Sequence, residues 1–462
     1  MTLISSISGT RGTIGGKPGE NLTPIDATNF AAAFSRFIVN QSGKSQPTVV
    51  MGRDARPSGQ WLSSLVSATL RASGIHVIDL GLSTTPTVEL AVVGEKADGG
   101  IILTASHNPV EWNALKLLNA KGEFISAEEG AVLLGMIESG DFDFPEVHQM
   151  GNYKEVNDWM ERHVEMVLDH SLVDIQSIRN AGFKIVVDAV NSTGGLVLPL
   201  LLDRLGVKDV LILNGDVSGN FAHNPEPLKE NLTEIAQKVK EGYDLGIVVD
   251  PDVDRLALIS ENGEMFGEEY TLVAIADYYM KVKPGATVSN LSSSRALRDV
   301  TEKALQQYSA SAVGEVNVVQ KMKDTNAVIG GEGNGGVIVP DFHYGRDALI
   351  GIALFLTHLA KEGVSMSALK QMYPNYQMAK NKVQLKAGMN PDDLIDKMKE
   401  KYNSENINTI DGLKIDFENE WVHLRKSNTE PIIRIYTESR DRQSAEALAK
   451  RIELELANLT DL

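Results

Sequence analysis

The sequence predicts an α/β fold with three similar α/β domains, whose sheets are mixed, followed by a C-terminal α+β domain. Strand-like and helix-like segments alternate in three successive cycles, a pattern typical of largely parallel sheets. After Pro374 the strand-like segments take on a more antiparallel character. A chain of 462 residues is long enough for several hydrophobic cores. We place the four domains at 1–155, 156–260, 261–372 and 373–462.

The first cycle forms the first domain. An amphipathic segment with Pro57 in its first turn and Gly74 after its last residue predicts a helix, because proline favours helix starts and glycine favours helix ends. The predicted strands of this domain are 48–51, 75–80 and 100–103, and its predicted helices are 57–73 and 88–93. A helix at 157–169 leads into the next domain.

The pattern then repeats twice before it changes. The second domain has predicted strands at 184–187, 209–213 and 245–249 and helices at 194–205 and 230–240. The dipeptide Asn262-Gly263 predicts a hairpin turn at its end. The third has strands at 287–291, 310–315 and 327–329, a helix from Ala296 and a helix at 347–361. The C-terminal domain has strands at 382–385, 413–417, 422–424 and 432–436 and helices at 391–402 and 444–456.

Composition excludes several classes of protein. The chain has no cysteine, so disulfides, thiolate zinc sites and cysteine nucleophiles are absent. A net charge of -18 argues against binding to nucleic acid or to an anionic membrane, and an anionic substrate would need a local basic pocket. The first residues lack the apolar core of a signal peptide, and no apolar run has the length of a membrane span. We therefore expect a cytoplasmic protein.

A serine follows the predicted strand 100–103, in the stretch TASHNP. Ser106 is expected on a loop at the carboxyl end of that strand, where open α/β sheets commonly place their active sites. His107 is adjacent, and Lys116 follows a short distance along the chain. A serine hydroxyl needs a base or a metal to become reactive, and from this stretch alone it is equally well explained as a turn residue.

Three aspartates follow the strand 245–249 in the stretch DPDVDR. Alternate positions of an extended segment point to one side, so the carboxylates of Asp250, Asp252 and Asp254 are expected to converge. Clustered carboxylates repel one another unless a cation lies among them, and oxygen ligands favour Mg²⁺, Mn²⁺ or Ca²⁺. A solvated acidic turn is the alternative. An EF-hand is rejected because Arg255 occupies the position that needs glycine and because strands flank the loop.

Two further loops carry polar groups. The stretch GEGNGG, residues 331–336, contains the letters of a dinucleotide fingerprint, but a strand follows it instead of the required helix. It offers Glu332 and Asn334 to sugar hydroxyls, with a plain hairpin turn as the alternative. The stretch RKSNTEP, residues 425–431, concentrates cations, hydroxyls and an amide, which favours a phosphate site over an ordinary polar turn.

In their chain order, these four loops resemble those of the α-D-phosphohexomutase superfamily, over essentially the whole chain. The resemblance implies that the four domains surround a central cleft. It also implies one Mg²⁺ per chain, a phosphoserine primed by a hexose bisphosphate or a kinase, and a monomer or homodimer. The implied catalytic residues are Ser106, His107, Lys116, Arg11 and Arg255; the implied metal ligands are Ser106, Asp250, Asp252 and Asp254. The implied substrate-binding residues are Glu332, Asn334, Arg425, Ser427, Asn428, Thr429 and Arg434.

The implied reaction interconverts hexose 6-phosphate and hexose 1-phosphate through a bisphosphate intermediate. Two loops depart from the usual forms DGDGDR and GExSGH, and the second departure places Asn334 and Gly336 where a serine and a histidine usually stand. The altered sugar loop favours glucosamine phosphate, whereas Thr104 favours glucose or mannose phosphate. A non-catalytic metal- and sugar-phosphate-binding module is the alternative from another class. A serine hydrolase lacks support because no GxSxG surrounds Ser106.

Overall fold

The computed structural model describes residues 2–6, 9–140, 142–386, 389–427 and 431–460. The chain forms two compact units. One runs to Thr271 and also includes Gly335–Leu369, and the other comprises Leu272–Asn334 and the chain from Lys370 onward. Among the described residues, no helix combines the length and the apolar character that crossing a bilayer requires.

The first sheet has seven strands and is mixed. Its strands are β1 (Ile4–Ser6), β2 (Gly9–Thr13), β3 (Thr48–Arg53), β4 (His76–Leu82), β5 (Gly99–Leu103), β6 (Trp112–Asn119) and β7 (Tyr153–Glu155), in the order β1-β2-β6-β5-β3-β4-β7. Strand β6 runs antiparallel to β5 and to β2, whereas β3, β4, β5 and β7 run parallel. The helices of this part are α1 (Pro24–Ser42), α2 (Gly59–Ala72), α3 (Thr85–Gly94) and α4 (Ala127–Ser139).

A four-stranded sheet follows in the same unit, and it agrees closely with the sequence prediction. It contains β8 (Lys184–Asp188), β9 (Asp209–Leu213), β10 (Leu245–Val249) and β11 (Leu256–Ser260), in the order β11-β10-β8-β9. Its helices are α5 (Trp159–Leu168), α6 (Ile175–Ala181), α7 (Gly194–Leu205) and α8 (Thr233–Val239). Only β11 is antiparallel to its neighbour.

The next segment contributes to both units. Its elements are α9 (Glu268–Val282), β12 (Thr287–Asn290), α10 (Ala296–Lys303), β13 (Tyr308–Ser311), α11 (Glu315–Thr325), β14 (Ile329–Glu332), β15 (Gly336–Val339), β16 (His343–Arg346), α12 (Ala348–Glu362) and α13 (Met366–Gln371). In the second unit β12 pairs in parallel with β13 and β14. In the first unit β15 and β16 form an antiparallel pair, and Asp347 caps α12 by accepting from the Leu349 amide at 2.8 Å.

The C-terminal sheet is antiparallel, as the sequence predicts. It contains β17 (Gln377–Gln384), β18 (Asn406–Asn408), β19 (Leu413–Asp416), β20 (Trp421–Lys426) and β21 (Ile432–Ser439), in the order β17-β21-β20-β19-β18. Helices α14 (Pro391–Lys401) and α15 (Arg442–Thr460) pack on it, and an apolar core that includes Met398, Ile433 and Ile452 lies between helices and strands.

One predicted strand is wrong. The sequence prediction of a strand at 310–315 fails because β13 ends at Ser311 and α11 begins at Glu315. Gly314 has a φ of 114°, which interrupts the extended backbone and allows a helix to start. The predicted strand at 327–329 overlaps β14 only at Ile329, because residues 326–328 connect the end of α11 to the strand, with Asn326 at a φ of 50°.

Candidate active site

Ser106 lies just beyond the carboxyl end of β5, as the sequence predicts. Its side chain is buried, and its hydroxyl donates a hydrogen bond of 2.7 Å to Oδ2 of Asp250. The Ser106 backbone has a φ of 50°, the left-handed region that residues with a side chain seldom adopt. The amide of Ser106 donates to the Thr104 hydroxyl at 2.9 Å. The serine is therefore fixed by its own loop and directed at the aspartates.

The three aspartates converge, although by a different geometry from the predicted one. Residues 250–254 form a turn, in which the Val253 amide donates to the Asp250 carbonyl at 3.1 Å and Val253 has a φ of 61°. The prediction of an extended segment with alternating side chains is therefore wrong. The turn still brings carboxylate oxygens of all three aspartates within 4.8 Å of one another, and each side chain is fully buried.

The three carboxylates fit a divalent cation. Oδ1 of Asp252 and Oδ1 of Asp254 are buried, and neither accepts a hydrogen bond from the described residues. Burial, together with the neighbouring Asp254 and Asp252, raises the pKa of Asp250 well above its ordinary value. A bound cation would supply the missing partners and relieve the repulsion, and the all-oxygen donor set suits Mg²⁺.

Four cationic side chains line one cavity of about 250 Å³ with Ser106 and His107: Arg11, Lys116, Arg255 and Arg346. Three of them also lie against the aspartates. Lys116 Nζ is 2.8 Å from Asp252 Oδ2, and Arg346 Nη2 donates to Asp254 Oδ2 at 2.6 Å. Arg255 Nε lies 3.9 Å from Asp250 Oδ2. This cavity supplies the local positive field that an anionic substrate needs within an acidic protein.

The environment of the cavity shifts several pKa values. Burial opposes the charged form of Lys116, but attraction to Asp252 and Asp254 outweighs it and raises the lysine pKa. Burial likewise opposes ionisation of Asp252, yet Lys116 and a hydrogen bond from Thr85 hold its pKa below the usual range. Burial and the nearby Arg255 and Arg346 lower the pKa of His107 to about 2. His107 is thus neutral beside the serine, with Nδ1 at 3.4 Å from Ser106 Oγ.

The two predicted sugar-binding residues lie in the second unit, with Glu332 as the last residue of β14 and Asn334 in the turn that follows. Glu332 is buried, and its Oε1 accepts from the Asn290 side chain at 2.8 Å and from the Gly314 amide at 3.0 Å. Asn334 is half-buried. The Gly333 amide donates to the Ser293 hydroxyl at 3.0 Å. Asn290 at the end of β12, Ser293 just after it and the Gly314 amide therefore fix the positions of Glu332 and Gly333.

The predicted phosphate-binding loop joins β20 and β21 of the same unit. Arg425 and Arg434 are cross-strand partners, and Arg425 lines a cavity of about 490 Å³. Arg425 Nε lies 2.8 Å from Asp411 Oδ2, which also accepts from the Val313 amide at 2.9 Å. The Ser427 amide donates to the Ile432 carbonyl at 3.1 Å. The other two predicted substrate-binding residues, Asn428 and Thr429, lie outside the described residues.

Comparison with known proteins agrees with this arrangement. Models of the four phosphoglucomutase/phosphomannomutase domains match residues 5–143 (domain I), 161–263 (domain II), 267–376 (domain III) and 380–455 (the C-terminal domain). A phosphoglucomutase/phosphomannomutase of Thermococcus kodakarensis is 35% identical over 441 residues, which is 94% of this chain and 95% of the relative. The chain belongs to the phosphoglucomutase/phosphomannomutase family. The fold class and the family predicted from the sequence are thereby confirmed.

Other members of the family are also similar along their full lengths. A phosphoglucosamine/phosphogalactosamine mutase of Sulfurisphaera tokodaii is 32% identical and covers 98% of both chains. The crystal structure of a phosphoglucomutase/phosphomannomutase family protein of Burkholderia thailandensis superposes with a TM-score of 0.85 and 27% identity, covering 99% of this chain and 98% of the other.

Sequence reasoning missed two residues that contact the aspartates. Arg346, at the end of β16, bonds Asp254, and Thr85, at the start of α3, donates to Asp252 Oδ2 at 2.6 Å. Each lies far from its partner in the chain, so no local pattern joins them. The one available signal for Arg346 was its position between a strand and the capping Asp347.

Proposed function

We propose that this chain is a phosphohexomutase that converts glucosamine 6-phosphate to glucosamine 1-phosphate through a phosphorylated Ser106. The observation that carries the proposal is the 2.7 Å hydrogen bond from the buried Ser106 to Asp250 beside a cation-lined pocket. A hydroxyl placed among metal-binding carboxylates and cations suits a phosphate carrier, since phosphoryl transfer depends on positioning and charge neutralisation.

The chemistry has two transfers. In the first, the bond between phosphorus and the Ser106 oxygen breaks as a bond to a sugar hydroxyl oxygen forms, and the hydroxyl proton leaves to a nearby base. The bisphosphate then turns end for end, and its other phosphate returns to Ser106. Neutral His107 lines the cavity and is available to accept this proton, whereas the protonated Lys116 is available to donate one to the oxygen from which phosphorus departs.

The residues of the candidate site have different proposed roles in this reaction. Asp250, Asp252 and Asp254, with an oxygen of phosphorylated Ser106, would hold one Mg²⁺. When bound, the ion would withdraw charge from the phosphoryl oxygens. Arg11, Arg255 and Arg346 add fixed positive charge in the same cavity. In the second unit, Glu332 and Asn334 would bind sugar hydroxyls. Arg425, Ser427 and Arg434, together with Asn428 and Thr429, would bind the phosphate that is not being transferred.

The choice of glucosamine rests on the sugar loop. Its sequence, GEGNGG, has Asn334 and Gly336 in place of the usual serine and histidine, and a relative named as a phosphoglucosamine/phosphogalactosamine mutase covers 98% of this chain. Glucose and mannose phosphates are the alternative substrates, in keeping with the relative named as a phosphoglucomutase/phosphomannomutase. We expect a cytoplasmic monomer or homodimer.

The test compares rates on glucosamine, glucose and mannose 1-phosphates, each with a hexose 1,6-bisphosphate as activator. We expect turnover of all three, fastest with glucosamine 1-phosphate, and none with Ser106→Ala. Ser64→Ala, an exposed serine on α2, is the matched control and should keep full activity. A Ser106→Ala enzyme with normal rates would contradict the mechanism. Ligand binding without turnover or phosphorylation in the wild-type protein would favour a binding module.

A further inference from the structure

Ser106 needs an external restraint on its backbone. A left-handed φ of 50° is disfavoured for a residue with a side chain, and such conformations persist only where the surrounding structure fixes them. If the backbone relaxed, the hydroxyl would move away from Asp250. The groups that hold the peptide of Ser106 therefore control where the phosphate carrier sits.

A single buried arginine restrains the carbonyl side of this loop. Arg56 is 1% exposed, and it follows β3, the strand beside β5 in the sheet. Its guanidinium donates to three carbonyl groups of the serine loop, residues 104–111, and to one at the start of β6: those of Ser106, Asn108 (2.7 Å), Pro109 (2.6 Å) and Trp112 (3.1 Å). The ring of Phe221 covers the guanidinium at 4.9 Å. The carbonyl groups of the turn that contains Ser106 are thus bound by one cationic side chain.

Asp54 and Thr104 complete the restraint on the amide side. Asp54 Oδ2 accepts from Arg56 Nε at 2.9 Å and from the Thr104 hydroxyl at 2.7 Å. The Thr104 hydroxyl in turn accepts from the Ser106 amide at 2.9 Å. The amide and the carbonyl of Ser106 are therefore both tied to one buried ion pair, whose side chains are 0% exposed.

The same segment also contacts the loop of the aspartates. The Ala55 amide donates to the Ser192 hydroxyl at 3.3 Å, and that hydroxyl donates to the Pro251 carbonyl at 2.7 Å. Residues 54–56 are consequently bonded to the serine loop on one side and, through Ser192, to the metal-binding loop on the other. They fix the position of Ser106 relative to Asp250.

We propose that Arg56, with Asp54 and Thr104, is a positioning group for phosphoryl transfer. Arg56 is not among the described residues that line the cavity, and it acts by holding Ser106 at the distance from the aspartates that transfer requires. The inference rests on the proposed function, because it assigns these residues to the same reaction. Misplacement of a reacting group by about 1 Å can slow a reaction by about 100-fold, so small relaxations of this loop are expected to be costly.

The test uses two changes, because Arg56 is buried and its replacement can impair folding. Thr104→Val removes both hydrogen bonds of the hydroxyl with little change in shape, and Arg56→Lys keeps the charge but loses the fork of donors. We expect kcat and the rate of Ser106 phosphorylation by glucose 1,6-bisphosphate to fall at least about 10-fold for Thr104→Val and about 100-fold for Arg56→Lys. The KM for the sugar phosphate and the affinity for Mg²⁺ should stay near the wild-type values.

Two controls separate positioning from stability. Thr104→Ser keeps the hydroxyl and should restore the rates. Thr69→Val removes a buried threonine hydroxyl of α2 that bonds only the Leu65 carbonyl in its own helix, and it should keep the wild-type kcat. Wild-type kcat for Thr104→Val and Arg56→Lys, with only a lower melting temperature, would overturn the inference and leave the proposed function intact. Absence of turnover and of Ser106 phosphorylation in the wild-type enzyme would overturn both.

Discussion

Arg346 Nη2 donates to Asp254 Oδ2 at 2.6 Å, although 92 residues separate the two in the chain. The ion pair brings the end of β16 to the turn that follows β10, and it places a fourth cation in the cavity that holds Ser106. A guanidinium fixed in this way is preorganised, because its carboxylate partner orients it before any substrate arrives.

Replacing Arg346 is therefore expected to slow the chemical step. Arg346→Gln should lower kcat by about 100-fold, as removal of a fixed donor to a developing charge commonly does. Arg346→Lys should recover part of the loss. Steady-state kinetics with glucosamine 1-phosphate checks this, with Arg36→Gln, an exposed arginine on α1, as the control. A wild-type kcat for Arg346→Gln would show that Arg346 has a structural role only and does not contribute to the chemical step.

The aspartates should make stability depend on a divalent cation. A ligand that binds only the folded protein at about 100 times its Kd stabilises it by about 2.7 kcal/mol. We expect Mg²⁺ to raise the melting temperature of protein stripped with a chelator. Asp252→Asn should weaken this response, because Asp252 Oδ1 is one of the buried oxygens without a hydrogen-bond partner. An equal Mg²⁺ response in Asp252→Asn and wild type would contradict the assignment of the ligands.

A cluster of ionisable side chains, His343, Glu89 and Asp347, should make the free energy of unfolding depend on pH. His343 lies 3.1 Å from Asp347 Oδ2 and 3.3 Å from Glu89 Oε2. Burial opposes its charged form, but the hydrogen bond to Asp347 and the nearby Glu89 carboxylate outweigh burial and raise its pKa to about 10 from 6.5. A histidine whose pKa is higher in the folded than in the unfolded protein stabilises the fold. The stabilisation is complete at pH values below the pKa of the unfolded state, and it is lost as the pH rises through the pKa of the folded state.

The expected result is a pH-dependent effect of His343→Gln on the free energy of unfolding. The variant should be less stable than wild type at pH about 6, and the difference should shrink by more than about 1 kcal/mol by pH about 10. Denaturant unfolding at both pH values measures it. His148→Gln, an exposed histidine, should show no such trend. A difference that stays constant with pH would exclude a charged His343 in the fold.

In the second unit, Asp411 is expected to orient the arginine of the phosphate loop. Asp411 Oδ2 lies 2.8 Å from Arg425 Nε and accepts a hydrogen bond from the Val313 amide. The next amide in the chain, that of Gly314, donates to Glu332. Asp411→Asn should therefore raise the KM for the sugar phosphate by about 5-fold, since an ion pair between partly exposed side chains contributes up to about 1 kcal/mol. Asp396→Asn, an exposed residue lining the same cavity, is the control. An unchanged KM in Asp411→Asn would contradict this role.

The sequence predicted most of the fold because local signals were strong. Strand β10 and helix α7 have the predicted bounds, since apolar runs and the glycines at the start of α7 are unambiguous. Helix α11 was missed because its start depends on Gly314, whose positive φ is not evident from the residue alone. Strand β6 was missed although it carries Lys116 and pairs with β5, the strand before it; its other partner, β2, comes from a distant part of the chain.

The sequence predicted which four loops carry the candidate site residues, but it did not predict how their side chains are arranged. The spacing of Asp250, Asp252 and Asp254 predicted that their carboxylates converge, as they do, yet the turn that joins them includes a valine with a φ of 61°. Local preference disfavours that conformation, and only tertiary contacts, such as that between the Pro251 carbonyl and Thr193, can fix it. Arg56, Thr85 and Arg346 act through partners distant in sequence, so their roles required the folded structure.

The role of Ser106 as the phosphate carrier is tested by measuring the mass of the intact protein after incubation with glucose 1,6-bisphosphate and Mg²⁺. Peptide fragmentation then identifies the modified residue. We expect the gain of one phosphoryl group on Ser106, its loss on addition of glucosamine 6-phosphate, and no gain in Ser106→Ala. An unmodified wild-type protein that nevertheless turns over sugar phosphates, or a phosphoryl group on another residue, would contradict this role.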